Sequence, residues 1–355
     1  MGKYASKSQW LPPEINQSHS GTSVDYHKVS ARVDLDYHME CCTPGMRVTV
    51  DCDTLYTMLR EQYGKGYRMI HLSRSPGELK SANQCAQIIL QAFFRKSAEV
   101  RTRGRYREPI TWKLHVEKSW LQTYIHYADR MSKQSRVVHT NNLVQSIARN
   151  TQNGERLISV FVTGQFEPSN QALSMSPYLG VDLFFEIPSP SPPERYMYKI
   201  ALVPVRAEFR HSTALSFPDI ACDWTTNLTQ FLSEGWRLID IYLDLPMVEQ
   251  LRTPPNLRPR LCRPTTTDAL WILEKPVSHR NDHTPLYEGT IVEHTVQVTL
   301  TSWGAQSKPD WDHVIRRMGS RGWELTCILE SRSCNHLSHS AKELKSLFFF
   351  QRPLQ

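Results

Sequence analysis

The stretch that decides the fold is the last one of the chain. Residues 311–330 read WDHVIRRMGSRGWELTCILE, and residues 347–353 read LFFFQRP. In the first phrase, apolar side chains recur at the spacing of one helix face, at Trp311, Val314, Ile315 and Met318. We therefore predict a helix over residues 311–318. Gly319 and Gly322 should end it, because glycine readily adopts the left-handed conformation that closes many helices.

Two strands follow this helix in the prediction. The first opens at Trp323 and is mostly apolar as far as Leu329. The second covers Leu347 to Phe350 and stops at Pro353, because proline cannot donate a hydrogen bond to a β-ladder. We expect Trp323 to be buried between the helix and these strands.

The same order of signals occurs three more times along the chain. The phrases are TLYTMLREQYGKGYRMIHLSR at 54–74, NNLVQSIARNTQNGERLISVFVTG at 141–164 and DWTTNLTQFLSEGWRLIDIYLD at 223–244. The glycines after the four helix patterns, Gly66, Gly154, Gly235 and Gly322, are 88, 81 and 87 residues apart. This period is longer than that of solenoid repeats, so we predict four copies of one small unit instead of a stacked array.

A strand pattern precedes each helix pattern and sets the fold class. These strands are predicted at 26–37, 110–127, 196–209 and 290–303, where apolar and polar residues alternate most clearly in the first and the last. Each unit is then strand, helix, strand, strand. This order favours an α+β fold with antiparallel sheets and with helices packed on one face.

A proline- and serine-rich stretch divides the four units into two pairs. Residues 187–195 read IPSPSPPER, a composition typical of a stiff, extended linker. We predict a linker at 189–195, units one and two at 25–188, and units three and four at 196–355. Residues 1–24 have little periodicity and are predicted to be a flexible leader.

Composition narrows the class of protein. The chain has 355 residues, of which 40% are hydrophobic and 22% charged, values ordinary for a soluble globular protein. No window has the ~18 apolar residues that a membrane helix needs, and the N-terminus lacks the apolar core of a signal peptide. Eight scattered cysteines without a CxxC motif suggest reduced thiols. The net charge of +7 permits an anionic partner but does not require one.

The first residues fit an acylation signal. Met1-Gly2-Lys3-Tyr4-Ala5-Ser6 matches the N-myristoylation pattern, in which the lipid is attached to the α-amino group of Gly2. Lys3 and Lys7 could add attraction to anionic lipid. The alternative is that Gly2 only begins a flexible tail. Cys41 and Cys42 could carry palmitate, although cysteine is commonly a small buried residue.

A basic stretch lies between units one and two. Arg101, Arg103, Arg105 and Arg107 are spaced two apart, so one extended strand would place all four on the same side. This stretch could bind lipid phosphates or RNA. The alternative is a solvated connector, and nucleic acid is the least favoured partner.

Motifs of catalysis and of cofactor binding are missing from the sequence, which has no GxGxxG, P-loop, HExxH or GxSxG. Cys327, Cys334, His336 and His339 have the chemistry of zinc ligands, but Cys327 falls in a predicted strand. Three aspartates, Asp53, Asp223 and Asp310, are predicted to be helix N-caps. We predict no catalytic residue, no metal and no cofactor.

The closing unit resembles the C-terminal part of the raftlin family. The matching phrases are IVEHTVQV at 291–298, RGWELTCIL at 321–329 and FFFQRP at 348–353, with weaker matches at 232–244 and 64–70. Raftlins are acylated proteins of the inner plasma-membrane leaflet, associated with lipid rafts, immune-receptor signalling and endocytic uptake, and no enzyme activity is known for them. The family begins Met-Gly-Cys, whereas this chain has Lys3 at the third position.

The resemblance implies a non-catalytic adaptor on the cytoplasmic face of the plasma membrane. It would be held by myristate alone, whose affinity for membranes is on the order of 10⁴ M⁻¹, so a cytosolic pool is expected. Its partners would be anionic lipids and a receptor or trafficking protein that the sequence does not identify. The competing hypotheses are a soluble enzyme on an unfamiliar fold, which a cleft of convergent carboxylates or histidines would favour, and an RNA-binding protein that uses Arg101 to Arg107.

Overall fold

The fold was analysed in a computed structural model. It describes residues 23–39, 46–75, 79–82, 85–96, 100–103, 106–127, 134–167, 178–189, 194–208, 219–243, 265–301, 304–307, 310–336 and 341–354. No helix in these ranges has the length and apolar character needed to cross a bilayer.

Four α-helices lie in the described ranges, at the four predicted places. They are α1 Asp53–Gly64, α2 Asn141–Gln152, α3 Trp224–Ser233 and α4 Asp312–Gly319, and a short 3-10 turn spans Val277–His279. The apolar spacing that predicted each helix is also its buried face. In α4, for example, Val314, Ile315 and Met318 are all buried.

The strands account for most of the remaining described chain. They are β1 Tyr26–Met39, β2 Met46–Val50, β3 Tyr67–Arg74, β4 Leu79–Ala82, β5 Cys85–Lys96, β6 Val100–Arg103, β7 Tyr106–Pro109, β8 Thr111–Tyr127, β9 Gln134–His139, β10 Arg156–Glu167, β11 Tyr178–Ser189, β12 Tyr196–Glu208, β13 Asp219–Ala221, β14 Arg237–Leu243, β15 Thr265–Pro276, β16 Tyr287–Thr301, β17 Gly304–Ser307, β18 Glu324–His336 and β19 Ala341–Pro353.

The strands form a 13-stranded sheet, a four-stranded sheet of β13-β12-β15-β14 and the two-stranded β6-β7. Every described strand pair is antiparallel, which confirms the α+β class. Near each helix, one long strand pairs on one side with a long strand that precedes the helix and on the other side with the strand that follows the helix. The long strand is β5 between β1 and β3, β11 between β8 and β10, β15 between β12 and β14, and β19 between β16 and β18.

Each helix is joined to the next strand by a glycine in the left-handed region, as predicted. Gly66, Gly154, Gly235 and Gly322 have φ of 82°, 86°, 81° and 78°. In each following strand the ladder then passes over one residue, at Ile70, Ile158, Ile239 and Thr326. Such an irregularity bends the strand and increases its twist, so these four strands turn inward at the same point.

The hydrophobic cores join successive parts of the chain. One core packs Leu183 and Phe185 of β11 against Ile239 and Ile272 of the next sheet, so it lies across the predicted linker at 189–195. Trp323 is buried as predicted, and its core also includes Tyr26 of β1. We divide the chain into four segments, β1–β5, β8–β11, β12–β15 and β16–β19, each with the helix that it contains. Each helix contacts the first strand of the following segment: α1 contacts β8, α2 contacts β12, α3 contacts β16, and α4 contacts β1.

The contact of α4 with β1 brings the two ends of the described chain together. The Val24 amide donates to the Gly319 carbonyl at 2.9 Å, and the Tyr26 hydroxyl donates to the Trp323 carbonyl at 2.8 Å. A Cβ on Gly319 would lie 2.4 Å from the Tyr26 ring. Gly319 is therefore needed for this close approach, whereas Gly322 supplies the left-handed turn.

The predicted N-caps are correct in one case of three. The Asp223 side chain accepts from the Thr226 amide at 3.1 Å. Asp53 is instead the first residue of α1, and the Asp51 side chain accepts from its amide. Asp310 precedes the Trp311 cap residue and lies 3.5 Å from the His313 ring.

The left-handed glycines can be tested with a matched set of alanine substitutions. Gly66→Ala should cost about 1–2 kcal/mol of unfolding free energy, because its φ is +82° while no atom lies within 4 Å of the added Cβ. Gly235→Ala should cost more, since its Cβ would also lie 2.8 Å from the Thr284 carbonyl oxygen. Gly64→Ala, in helix α1, is the control and should be neutral or stabilising. Urea unfolding measures the stability of all three variants. Equal stabilities for the Gly66 and Gly64 variants would contradict a strained backbone at position 66.

Candidate functional site

The strands that follow the four helices, β3, β10, β14 and β18, meet at the centre of the molecule, and we call them the inner strands. Strand β3 contacts β10, β10 contacts β14, β14 contacts β18, and β18 contacts β3, which closes the circuit. The second residue after each left-handed glycine is charged and lies at this centre: Arg68, Arg156, Arg237 and Glu324. The residues paired with them on the long strands are Arg95, Glu186, Glu274 and Gln351. We call these eight residues the central ring.

The first half of the central ring links the first three segments. Arg68 Nη2 donates to Glu186 at 2.6 Å, and both side chains are more than nine-tenths buried. Arg156 Nη2 donates to Glu274 at 2.5 Å. Each arginine therefore binds a carboxylate carried by the next segment of the chain.

The second half closes the circuit. Arg237 donates to Glu274 at 2.7 Å and to Glu324 at 2.6 Å, so it joins the third segment to the fourth. Arg95, on the first segment, donates to the other oxygen of Glu324. The Gln351 amide donates to the Leu238 carbonyl at 3.0 Å and accepts from the Leu238 amide at the same distance.

The pairing fixes the charge states of the central ring. Burial alone would raise the pKa of the Glu274 carboxyl, but Arg156 and Arg237 hold that pKa below its usual value. The pKa of Glu324 is likewise lowered, because Arg95 and Arg237 outweigh the effect of burial. The carboxylates of Glu274 and Glu324 are therefore ionised, and they are bound to guanidinium groups instead of being free to exchange protons.

Three aromatic rings cover guanidinium groups of the central ring. Arg68 lies 3.6 Å from the ring centroid of Trp112, Arg156 lies 4.2 Å from that of Tyr196, and Arg237 lies 6.0 Å from that of Tyr287. Each aromatic residue begins the first long strand of the following segment. These cation–π contacts repeat the order of the ion pairs and add to the linkage between neighbours.

A small cavity lies within the central ring. Its volume is about 30 Å³, and Arg68, Arg95, Arg156, Arg237, Glu186 and Glu324 all line it. This volume has room for about two water molecules. Arg95 is 30% exposed, so the cavity has one wall that reaches solvent.

A second polar layer follows directly after the irregularity of each inner strand. It consists of His71, Ser159, Asp240 and Cys327, all more than nine-tenths buried. The Ser159 hydroxyl and the Val160 amide each donate to Asp240 Oδ2 at 3.0 Å. His71 Nε2 accepts from the Ile328 amide at 3.1 Å.

This second layer has the residue types of a catalytic triad but not the arrangement. In a triad, histidine takes the proton of the serine. Here Ser159 donates to Asp240, His71 Nε2 accepts from a backbone amide, and His71 Nδ1 lies 3.7 Å from Asp240 Oδ2. Burial raises the pKa of Asp240 to about 7 and lowers that of His71 to about 3. Burial also raises the pKa of the Cys327 thiol well above its usual value. The layer is therefore a packed polar contact between segments.

The predicted lipid-binding residues fall mostly outside this site. Gly2, Lys3, Lys7 and Arg105 lie outside the described residues, as do Cys41 and Cys42. Arg101 and Arg103 are on β6, and Arg107 is on β7. Arg107 pairs with Thr102, and Arg101 pairs with Glu108. The stretch is therefore a hairpin and not one extended strand, with Arg101 and Arg103 on one strand and Arg107 on the other.

The zinc hypothesis is not supported by the placement of Cys327. Its side chain belongs to a hydrophobic core, as the strand prediction implied. His339 lies outside the described residues. Among the residues that are described, no group of three or more histidine, cysteine, aspartate or glutamate side chains could hold a metal ion.

The sequence reasoning missed the central ring, although the signal was present. A charged residue stands two positions after each of the four glycines, at the start of a strand that is otherwise largely apolar. A polar residue also follows the apolar run of each long strand, as in LFFEIP, LWILEKP and LFFFQRP. Two sets of polar residues at equivalent places in buried strands predict a contact between them.

Comparison with known proteins identifies no relative. No family model matches the sequence, and neither the curated proteins nor the solved structures contain a significant match. The resemblance to raftlins rests on the short phrases quoted above and is carried forward as a proposal.

The central ring can be tested at its most buried pair. Arg68→Leu should cost about 3–5 kcal/mol, because Glu186 would then remain buried without its arginine. The double variant Arg68→Leu/Glu186→Leu should be more stable than Arg68→Leu, since no charge is left unpaired. Arg149→Leu is the control: Arg149 is 68% exposed and pairs with Glu117 at the surface, so its loss should cost less than about 1 kcal/mol. Urea unfolding that gave equal costs for Arg68→Leu and Arg149→Leu would contradict the central role of this pair.

The buried histidine predicts a pH dependence of stability. The unfolded chain binds a proton at His71 near pH 6.5, whereas the folded chain binds it only near pH 3. A lowered pKa of a base means that stability is lost as pH falls through this window. Between pH 7 and pH 5, the parent should lose about 2 kcal/mol more than His71→Gln, whose amide oxygen can still accept from Ile328. Urea unfolding at both pH values measures the difference, and parallel losses in the two proteins would contradict burial of a neutral imidazole.

Proposed function

We propose that the chain consists of four copies of one unit arranged in a closed circuit. The support is that four relations have the same cyclic order: the inner strands, the ion pairs, the cation–π contacts and the packing of each helix on the next long strand. The arrangement in two pairs, expected from the linker, is replaced in this proposal by a cyclic order. The cores that join neighbouring segments across residues 189–195 favour this version.

We also propose that the protein is a non-catalytic adaptor that attaches to membranes through myristate on Gly2. The observation that carries the non-catalytic part is the central ring itself. Its three carboxylates are each bound by at least one arginine, and the cavity between them is too small for an organic substrate. The binding surfaces of an adaptor would then lie on the outside of the molecule and at the chain ends, with the centre holding the scaffold together.

The support for the anchor comes from residues 1–7 and from the attachment of Val24 to α4. The amide of Val24 is fixed on α4 through Gly319. More than twenty residues therefore separate Gly2 from this attachment point, enough to span several tens of ångströms when extended. In this proposal the protein occupies the cytoplasmic face of the plasma membrane and a cytosolic pool, with anionic lipids and a receptor or trafficking protein as partners.

The anchor can be tested by cell fractionation. Gly2→Ala removes the glycine that the acylation pattern requires at position 2, so the membrane fraction should fall strongly relative to the parent. Ala5→Gly is a matched control that changes a neighbouring residue and keeps the acceptor. Raising salt should release part of the bound parent protein if Lys3 and Lys7 contribute, because screening shortens the reach of surface charge. Equal membrane fractions for the parent and Gly2→Ala would refute the anchor.

An enzyme remains the second candidate, because one observation favours it. Carboxylates and guanidinium groups from different segments converge on a cavity with a wall at the solvent. Binding of RNA through the β6-β7 hairpin is a weaker candidate, since the arginines are divided between two strands instead of following one extended strand. Steeply salt-dependent RNA affinity at physiological ionic strength would favour that reading.

A further inference from the structure

The central ring does not neutralise itself. Four guanidinium groups, those of Arg68, Arg95, Arg156 and Arg237, meet three carboxylates, those of Glu186, Glu274 and Glu324. Among these seven described side chains, guanidinium groups outnumber carboxylates by four to three. The reason is the fourth long strand, which carries the neutral Gln351 at the position where two others carry glutamate.

The excess charge lies where desolvation is costly. Arg156 and Arg237 are less than one-fifth exposed, and Arg68 is almost fully buried. A guanidinium group in such surroundings is unfavourable unless it is paired, and a nearby anion relieves the cost. Arg95 is the most exposed of the four arginines, at 30%, so solvent can reach the cavity on its side.

Two arginines keep donors that the carboxylates do not use. Arg95 binds Glu324 through Nη1 alone, and Arg156 binds Glu274 through Nε and Nη2. Among the described residues, Nε and Nη2 of Arg95 and Nη1 of Arg156 have no hydrogen-bond partner. Both side chains line the same cavity of about 30 Å³.

We propose that this cavity binds one small inorganic anion of the size of chloride, held by Arg95 and Arg156. The volume accommodates about two waters, which suits a monatomic ion better than a phosphate group. Glu186 and Glu324 also line the cavity and repel an anion, but each is bound to its own guanidinium group. The ion would make the central ring neutral and tie the first segment to the second.

The direct test uses the unmodified protein. Crystals grown in sodium bromide should give an anomalous-scattering peak between Arg95 and Arg156, and the same peak should weaken when chloride replaces bromide. Absence of a peak there at molar bromide would overturn the proposal. A peak only on the outer surface would overturn it as well.

Stability provides a second readout in solution. At equal ionic strength, replacing gluconate, which is too large for the cavity, by chloride should lower the unfolding equilibrium constant saturably. The decrease should be about tenfold at ten times the dissociation constant. Arg95→Gln should lose this dependence, and the control Arg149→Gln should keep it. A chloride effect of equal size in Arg95→Gln and the parent would contradict the site. The outcome does not depend on the membrane anchor, so either proposal can fail alone.

Discussion

The fold depends on one constraint, which is that every buried charge at its centre must find a partner on a neighbouring segment. Arg68 reaches Glu186, Arg156 reaches Glu274, and Arg237 reaches Glu324. Removing one member of such a pair strands an ionised group in a medium of low dielectric constant. The ion pairs therefore add little net stability. Their main effect is to exclude alternative orders of the four segments. A segment in the wrong place would bring like charges together.

Apolar packing follows the same order and supplies most of the stabilisation. Each helix buries its apolar face against its own strands and against the first long strand of the next segment. The irregularity four residues after each left-handed glycine bends the inner strand so that polar side chains enter the centre while the preceding apolar residue remains in the core. Leu157, Leu238 and Leu325 occupy that preceding position and are fully buried. Backbone geometry set by glycine thus separates the polar centre from the apolar layers around it.

Local patterns in the sequence predicted the elements but not their assembly. The helix faces, the glycine turns and the burial of Trp323 follow from residue spacing, because these features depend on neighbours within about twenty residues. The prediction of two pairs of units was drawn from the prolines of residues 187–195, which report local stiffness. The cores that cross this stretch depend on side chains more than fifty residues apart, such as Leu183 and Ile239. The partner of Arg68 is more distant still, at 118 residues, and no spacing rule names Glu186.

The contact between the first and last segments also determines where the molecule bears a pulling force. Val24 binds Gly319, Tyr26 binds Trp323, and Lys28 binds Asp312. The start of β1 is therefore held against the last helix and the turn that follows it. Any tension applied to the chain before residue 23 is delivered first to these bonds. They connect residues far apart in sequence and, together with the bonds of Arg95 to Glu324 and of Ile328 to His71, they hold the one junction between segments that the chain itself does not bridge. A tethered N-terminus would thus load the point at which the four segments can be parted, while the other three junctions are also bridged by the chain itself.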